Sequence, residues 1–162
     1  MSILRRSVAA AVVIVAVCAA LPAHARYGYT RVDTWVRYGD RVAGRNTDEA
    51  HNDTLTVWVP VGSTRKVGWT VFNPGTNIPR LYKVTFEGCD SASGFRFRYF
   101  RRDGKNITWP VTHDGYTAPA DPHERAHVKI RVRSAAPDRS YTCVLSGTGN
   151  GPSSTVKLFV HS

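Results

Sequence analysis

Val128-Lys129-Ile130-Arg131-Val132-Arg133 alternates apolar and basic residues without a break, and that period of two decides the fold class. Five other runs share the period. Val67, Trp69 and Val71 alternate with Lys66, Gly68 and Thr70; Tyr82, Val84 and Phe86 alternate with Lys83, Thr85 and Glu87. Phe95, Phe97 and Tyr99 enclose Arg96 and Arg98, while Tyr141, Cys143 and Leu145 share one parity, as do Val156, Leu158 and Val160. One apolar face per run argues antiparallel sheets packed face to face. Turn residues fall between the runs, at Asn73-Pro74-Gly75, Asp103-Gly104, Ala118-Pro119 and Gly147 to Pro152. The expected architecture is all-β, an immunoglobulin-like β-sandwich of seven to nine strands. The strands are expected at 30–37, 54–60, 65–73, 80–88, 94–101, 107–116, 126–133, 139–147 and 154–161.

The first 25 residues read differently. Arg5 and Arg6 precede an uncharged apolar run from Val8 to Val17, then Pro22 and Ala23-His24-Ala25. That is the layout of a secretory signal peptide cleaved between Ala25 and Arg26, and the run is too short for a spanning helix. Residues 26–162 are then expected to form one domain, secreted and without a membrane span. Cys18 falls within the signal region; a lipoprotein reading of it needs a small preceding residue, and Val17 is not small. Cys89 and Cys143 remain as a pair, expected as a disulfide in an exported chain. If 65–73, 80–88 and 139–147 take the B, C and F roles, the end of C lies beside the start of F. Cys89 then sits just past C and Cys143 early in F. Tyr141-x-Cys143 resembles the spacing of a tyrosine corner.

Three successive motifs carry a family resemblance: Asn73-Pro-Gly-Thr-Asn77, Thr85-Phe-Glu-Gly-Cys89 and Gly94-Phe-Arg-Phe-Arg-Tyr-Phe100. With Arg31 to Arg37 before them and Thr142-Cys143-Val144-Leu145 after, they resemble Ig-like repeat modules of secreted proteins in high-GC bacteria. The resemblance spans roughly residues 30–160. It implies a non-catalytic extracellular module that meets an unknown protein or cell-surface partner, with no catalytic residues to carry over.

Charge supplies a second reading. The chain has 22 Lys and Arg against 12 Asp and Glu, and loss of Arg5 and Arg6 leaves +8. A basic domain attracts polyanions. Arg96, Arg98, Arg101, Arg102 and Lys105 cluster around the aromatic strand, and Lys129, Arg131 and Arg133 form an outward ladder. Spaced guanidiniums of this kind suit repeating phosphates or carboxylates of an anionic cell-envelope polymer, without selecting a specific nucleic acid. Outward charge also serves solubility and guards edges. The polymer reading requires both sets on one side, and an Ig-like assignment opposes it. The strand after C commonly joins the C–F–G sheet, whereas 126–133, as E, joins the other.

His123-Glu124-Arg125-Ala126-His127 matches the H-E-x-x-H of zinc peptidases, which requires a helix to bring both histidines to one face. Asp121-Pro122 before it and the alternating run after it deny the helix, so no metal site is expected. No nucleophile elbow is present, and the paired cysteines leave no free thiol. No catalytic residue and no cofactor are expected, and the chain is not expected to be an enzyme; a secreted hydrolase is the remote alternative. Trp35, Trp58, Trp69 and Trp109 are expected to pack in the core or at edges, although Trp58, Trp109 and Tyr116 are the types that stack on sugar rings.

Overall fold

The computed structural model describes residues 32–44, 53–73, 83–121, 124–149 and 151–162. The expected leader with its Ala25–Arg26 junction, Cys18, residues 74–82 and His123 lie outside the described residues. The described residues form ten strands and one short helix in chain order: β1 (Asp33–Tyr38), β2 (Arg41–Ala43), β3 (Thr54–Trp58), β4 (Thr64–Phe72), β5 (Lys83–Glu87), β6 (Phe95–Phe100), α1 (Thr108–Thr112), β7 (Tyr116–Pro119), β8 (Arg125–Ser134), β9 (Ser140–Gly149) and β10 (Gly151–His161). They form two five-stranded sheets, ordered β2-β1-β4-β8-β6 and β3-β10-β9-β5-β7. All pairings are antiparallel except that of β3 with β10. With β1, β4, β8 and β6 as A, B, E and D, and β5, β9 and β10 as C, F and G, the order is that of an immunoglobulin-like sandwich.

Period-two sequence produces this directly. Burial along β8 alternates strictly over its ten residues, with Ala126, Val128, Ile130 and Val132 inside. Trp69 on β4 meets Phe86 on β5 edge-on at 4.9 Å across the sandwich. Its indole N–H donates to Thr34 Oγ1 at 2.9 Å, and that hydroxyl donates to the Thr70 carbonyl, so the buried polar atoms are satisfied. The free edge of β6 is closed locally. Ser91 Oγ accepts from Phe97 N–H at 3.2 Å and Thr108 Oγ1 from Tyr99 N–H at 3.0 Å, which removes two donors from any strand seeking to add there.

Cys89 and Cys143 are bonded, with Cα atoms 5.7 Å apart, and β5 and β9 are antiparallel neighbours as the C and F assignment requires. The hydroxyl serving this corner belongs to Tyr99, not Tyr141. Tyr99 Oη accepts from Cys89 N–H and donates to the Cys89 carbonyl, both at 3.0 Å, tying β6 of one sheet to the staple of the other. Burial pushes its phenol pKa up, partly offset by the bond to Cys89. Gly88 makes room for it: a Cβ there would lie 2.7 Å from Tyr99 Oη.

Two expectations need correction. The segment 107–116 is not a strand; it forms α1, and strand structure begins only at Tyr116. Ile107 and Val111 are four residues apart and both buried, while Trp109 between them is exposed, a helical rather than an alternating pattern. Asn106 Oδ1 accepts from Thr108 N–H at 2.9 Å to start the turn, and Pro110 sits in the first turn, where it needs no N–H partner. The second correction concerns β6 and β8. They are neighbours in one sheet rather than members of opposite sheets.

Candidate anion-binding face

Because β8 lies between β4 and β6, the outward residues of three strands fall into rows. Thr64, Arg133 and Arg96 form one row; Lys66, Arg131 and Arg98 form the next. Gly68, Lys129 and Phe100 follow, with Arg37 of β1 opposite Gly68. His127 opposite Thr70, then Arg125 opposite Phe72, complete the β8 column. Five successive outward positions of β8 are thus Arg125, His127, Lys129, Arg131 and Arg133, spanning about 27 Å at strand rise. Arg96 and Arg98, read from the sequence with the aromatic strand, thus meet the ladder of Lys129, Arg131 and Arg133 on one surface.

The first two rows enclose a shallow groove of about 400 Å³ lined by Thr64, Lys66, Arg96, Arg98, Arg131 and Arg133. A second hollow, sharing Arg96 and Arg133, carries it round the sheet end past Val61, Gly62, Ser134 and Ala135. Among the described residues, no carboxylate lies within ion-pair distance of these five cations; the ion pairs are Arg37–Asp40 at 3.9 Å and Arg101–Asp103 at 3.0 Å. Like charges on adjacent strands oppose pairing, so this row arrangement costs stability that an anion would restore. Arg131 is held by Phe100, its guanidinium 4.4 Å from the ring centroid, and Arg125 lies 5.5 Å from the centre of the Trp35 ring. Two aromatic rings of this face, those of Phe100 and Trp35, therefore already carry a cation.

Other basic residues singled out in the sequence stand elsewhere. Arg101, Arg102 and Lys105 occupy the turn after β6, where Arg101 N–H donates to the Lys105 carbonyl and Asp103 takes the Arg101 guanidinium. Of the three, Arg102 bears on the face through His127. Partial burial lowers the pKa of His127, and the charges of Arg102 and Arg125 lower it further. His127 Nδ1 lies 2.9 Å from Thr70 Oγ1. Lys66, Arg37, Arg125 and His127 were missing from the sequence-based set. Lys66 was detectable, since it alternates with buried Val67, but nothing in the sequence states that its strand borders β8.

The described part of the H-E-x-x-H segment is extended from Arg125, where β8 begins inside the motif, and Glu124 offers its backbone carbonyl to Asn73 N–H. His113 and Asp114 lie in a turn, with Gly115 at φ +78° behind them. Trp69 alone of the four tryptophans is fully buried; Trp58 is 56% and Trp109 65% exposed, so the expectation of core or edge packing fails for Trp109.

No protein-family model matches this chain, and no curated protein matches it. Among solved structures it is similar to a family 123 glycoside hydrolase from Clostridium perfringens, described for glycolipid glycan hydrolysis, with 9% identity and a TM-score of 0.48. The match covers 80% of this chain and 27% of that one, so the chain spans about a quarter of the enzyme's length. A hydrolase as structural neighbour conflicts with the expected non-catalytic module mediating surface contacts, and that expectation is withdrawn. At this identity and TM-score the likeness transfers no catalytic residue, substrate or activity.

Proposed function

We infer that the outer face of β4, β8 and β6 binds a linear polyanion, with its strongest contacts in the groove formed by Lys66, Arg96, Arg98, Arg131 and Arg133. One observation carries this reading: strand register sets five cations side by side, with no carboxylate within ion-pair distance among the described residues. Four are arginines, whose planar fork engages phosphate or sulfate through two parallel hydrogen bonds. The β8 column extends the groove as a rail, its outward positions repeating about every 7 Å at strand rise. A polymer with regularly spaced anions engages such a rail at several points at once, and the attraction is electrostatic rather than sequence-reading. The rings of Phe100 and Trp35 carry guanidiniums, which favours recognition of a charged backbone over stacking of bases. The disulfide supports action in an oxidising compartment, and the basic leader with its small-residue junction supports secretion. No described helix is long and apolar enough to cross a membrane.

Charge reversal tests the reading. Arg98→Glu should weaken binding of a heparin oligosaccharide by about tenfold or more, since it both removes a contact and adds repulsion. Lys157→Glu, on the outer face of the other sheet, should leave it unchanged. Equal losses in the two variants would show that net charge, not this face, is responsible.

A further inference from the structure

A second surface, chemically unlike the first, surrounds α1. An open hollow of about 530 Å³ has Asp90, Asn106, Thr108, Trp109, Pro110 and His113 among its lining residues. Trp109 is the most exposed of the large apolar side chains described, yet its indole is not loose. The ring stacks on His113 at 3.6 Å between centroids and 20° between planes. His113 is fixed in turn, its Nδ1 lying 2.8 Å from Thr112 Oγ1 and 3.2 Å from the Trp109 carbonyl. The helix beneath is anchored by buried Val111, whose carbonyl accepts from Gly88 N–H at 3.0 Å, and by Thr108 Oγ1, which accepts from Tyr99 N–H. An aromatic plate is thus held in water by a rigid mount.

Its surroundings are polar in a specific way. Asn106 Oδ1 accepts from both the amide and the hydroxyl of Thr108, at 2.9 and 2.7 Å, which fixes the side chain and leaves its Nδ2 donors without partners among the described residues. The Asp90 carboxylate accepts no hydrogen bond from any described residue. A flat ring, a fixed amide donor and a free carboxylate acceptor complement a molecule with one apolar face and a rim of hydroxyls that both donate and accept. We propose that this hollow binds an uncharged pyranose sugar, with Trp109 as the stacking platform and Asn106 and Asp90 as hydroxyl partners. The carboxylate disfavours sugars bearing carboxyl or sulfate groups, so the ligand differs in class from the polyanion of the basic face, and neither proposal depends on the other. The volume falls within the usual range for small-ligand sites and admits one or two sugar rings.

The test uses the purified protein and four neutral hexasaccharides: cellohexaose, maltohexaose, laminarihexaose and chitohexaose. Saturation-transfer NMR and calorimetry should show saturable binding of at least one, in the micromolar-to-millimolar range. Trp109→Ala should weaken that binding by about tenfold, the loss expected for one stacked ring, whereas Trp109→Phe should retain most of it. Asn106→Ala and Asp90→Ala should each weaken it as well, with the melting temperature unchanged for Asp90→Ala and Trp109→Phe and lowered by a few degrees for Asn106→Ala, whose Oδ1 starts the α1 turn. Arg131→Ser should have no effect, which separates this site from the basic face. Absence of saturable binding by all four sugars overturns the proposal. So does binding indifferent to Trp109→Ala, or an affinity of this hollow for arginine-rich peptide alone. Concentration-dependent dimerisation that Trp109→Ala abolishes, without sugar binding, would reassign the plate to self-association.

Discussion

Tyr99 and His127 show how single residues set local energetics on the two sides of the same sheet. Tyr99 is buried, and its hydroxyl both accepts from and donates to the Cys89 backbone. Tyr99→Phe leaves those two backbone groups without their partner and should destabilise the protein by about 1–3 kcal/mol in urea unfolding. An unchanged midpoint would mean that water replaces the hydroxyl freely. His127 has its pKa lowered by partial burial and by Arg102 and Arg125. The unfolded chain therefore binds the proton more readily. The contribution of this group to stability is present above the ordinary histidine pKa of about 6.5 and is lost as pH falls through it toward the folded value. Ligand binding has the opposite sign, because protonation adds a cation to the β8 column. Polyanion affinity should rise as the solution is acidified below the ordinary histidine range, and His127→Gln should flatten that rise. A pH profile identical in the two proteins would remove His127 from the face.

Elements differ in how plainly the sequence declares them. β4, β6, β8, β9 and β10 were legible because each buries one parity against the other sheet, and a one-residue shift would turn every apolar side chain outward. The segment of α1 reads as a strand for a specific reason: Ile107, Trp109 and Val111 share a parity in a strand, while Ile107 and Val111 alone share a face in a helix. Only the exposure of Trp109 separates the alternatives, and exposure is not written in the sequence. Val111→Ala should cost about 2 kcal/mol by removing buried methyl groups, and loss of α1 signals in NMR should accompany it. The same limit explains the basic face. Alternation placed Arg96, Arg98, Lys129, Arg131 and Arg133 outward on their own strands, yet adjacency is a property of the sheet. The loop bearing Cys89 carries the chain from β5 in one sheet to β6 in the other, and so brings Arg96 and Arg98 beside β8.

For the whole molecule, one disulfide and one charge asymmetry matter most. The bridge closes a separation of 54 residues, and replacing both cysteines with alanine should lower stability by about 4 kcal/mol through the larger unfolded ensemble. The two outer faces divide their chemistry. That of β4, β8 and β6 is crowded with Lys and Arg, while that of β3, β10 and β9 carries mostly Thr, Ser and Val around Lys157, with Phe159 and His161 stacked. The central claim is that the first of these is a polyanion-binding face, and its salt dependence is the most direct test. Affinity for an oligothymidylate, used as a regular phosphodiester probe, is measured from low to physiological salt for the wild type, for Arg131→Ser/Arg133→Ser and for Lys83→Ser/Lys157→Ser. Each engaged phosphate contributes about −0.7 to the slope of log affinity on log salt, so five groove cations give about −3.5. The account predicts that Arg131→Ser/Arg133→Ser brings the slope to about −2, in a protein that melts no lower than the wild type, while Lys83→Ser/Lys157→Ser leaves it unchanged. A slope near zero in the wild type, or one altered equally by both double variants, would contradict it.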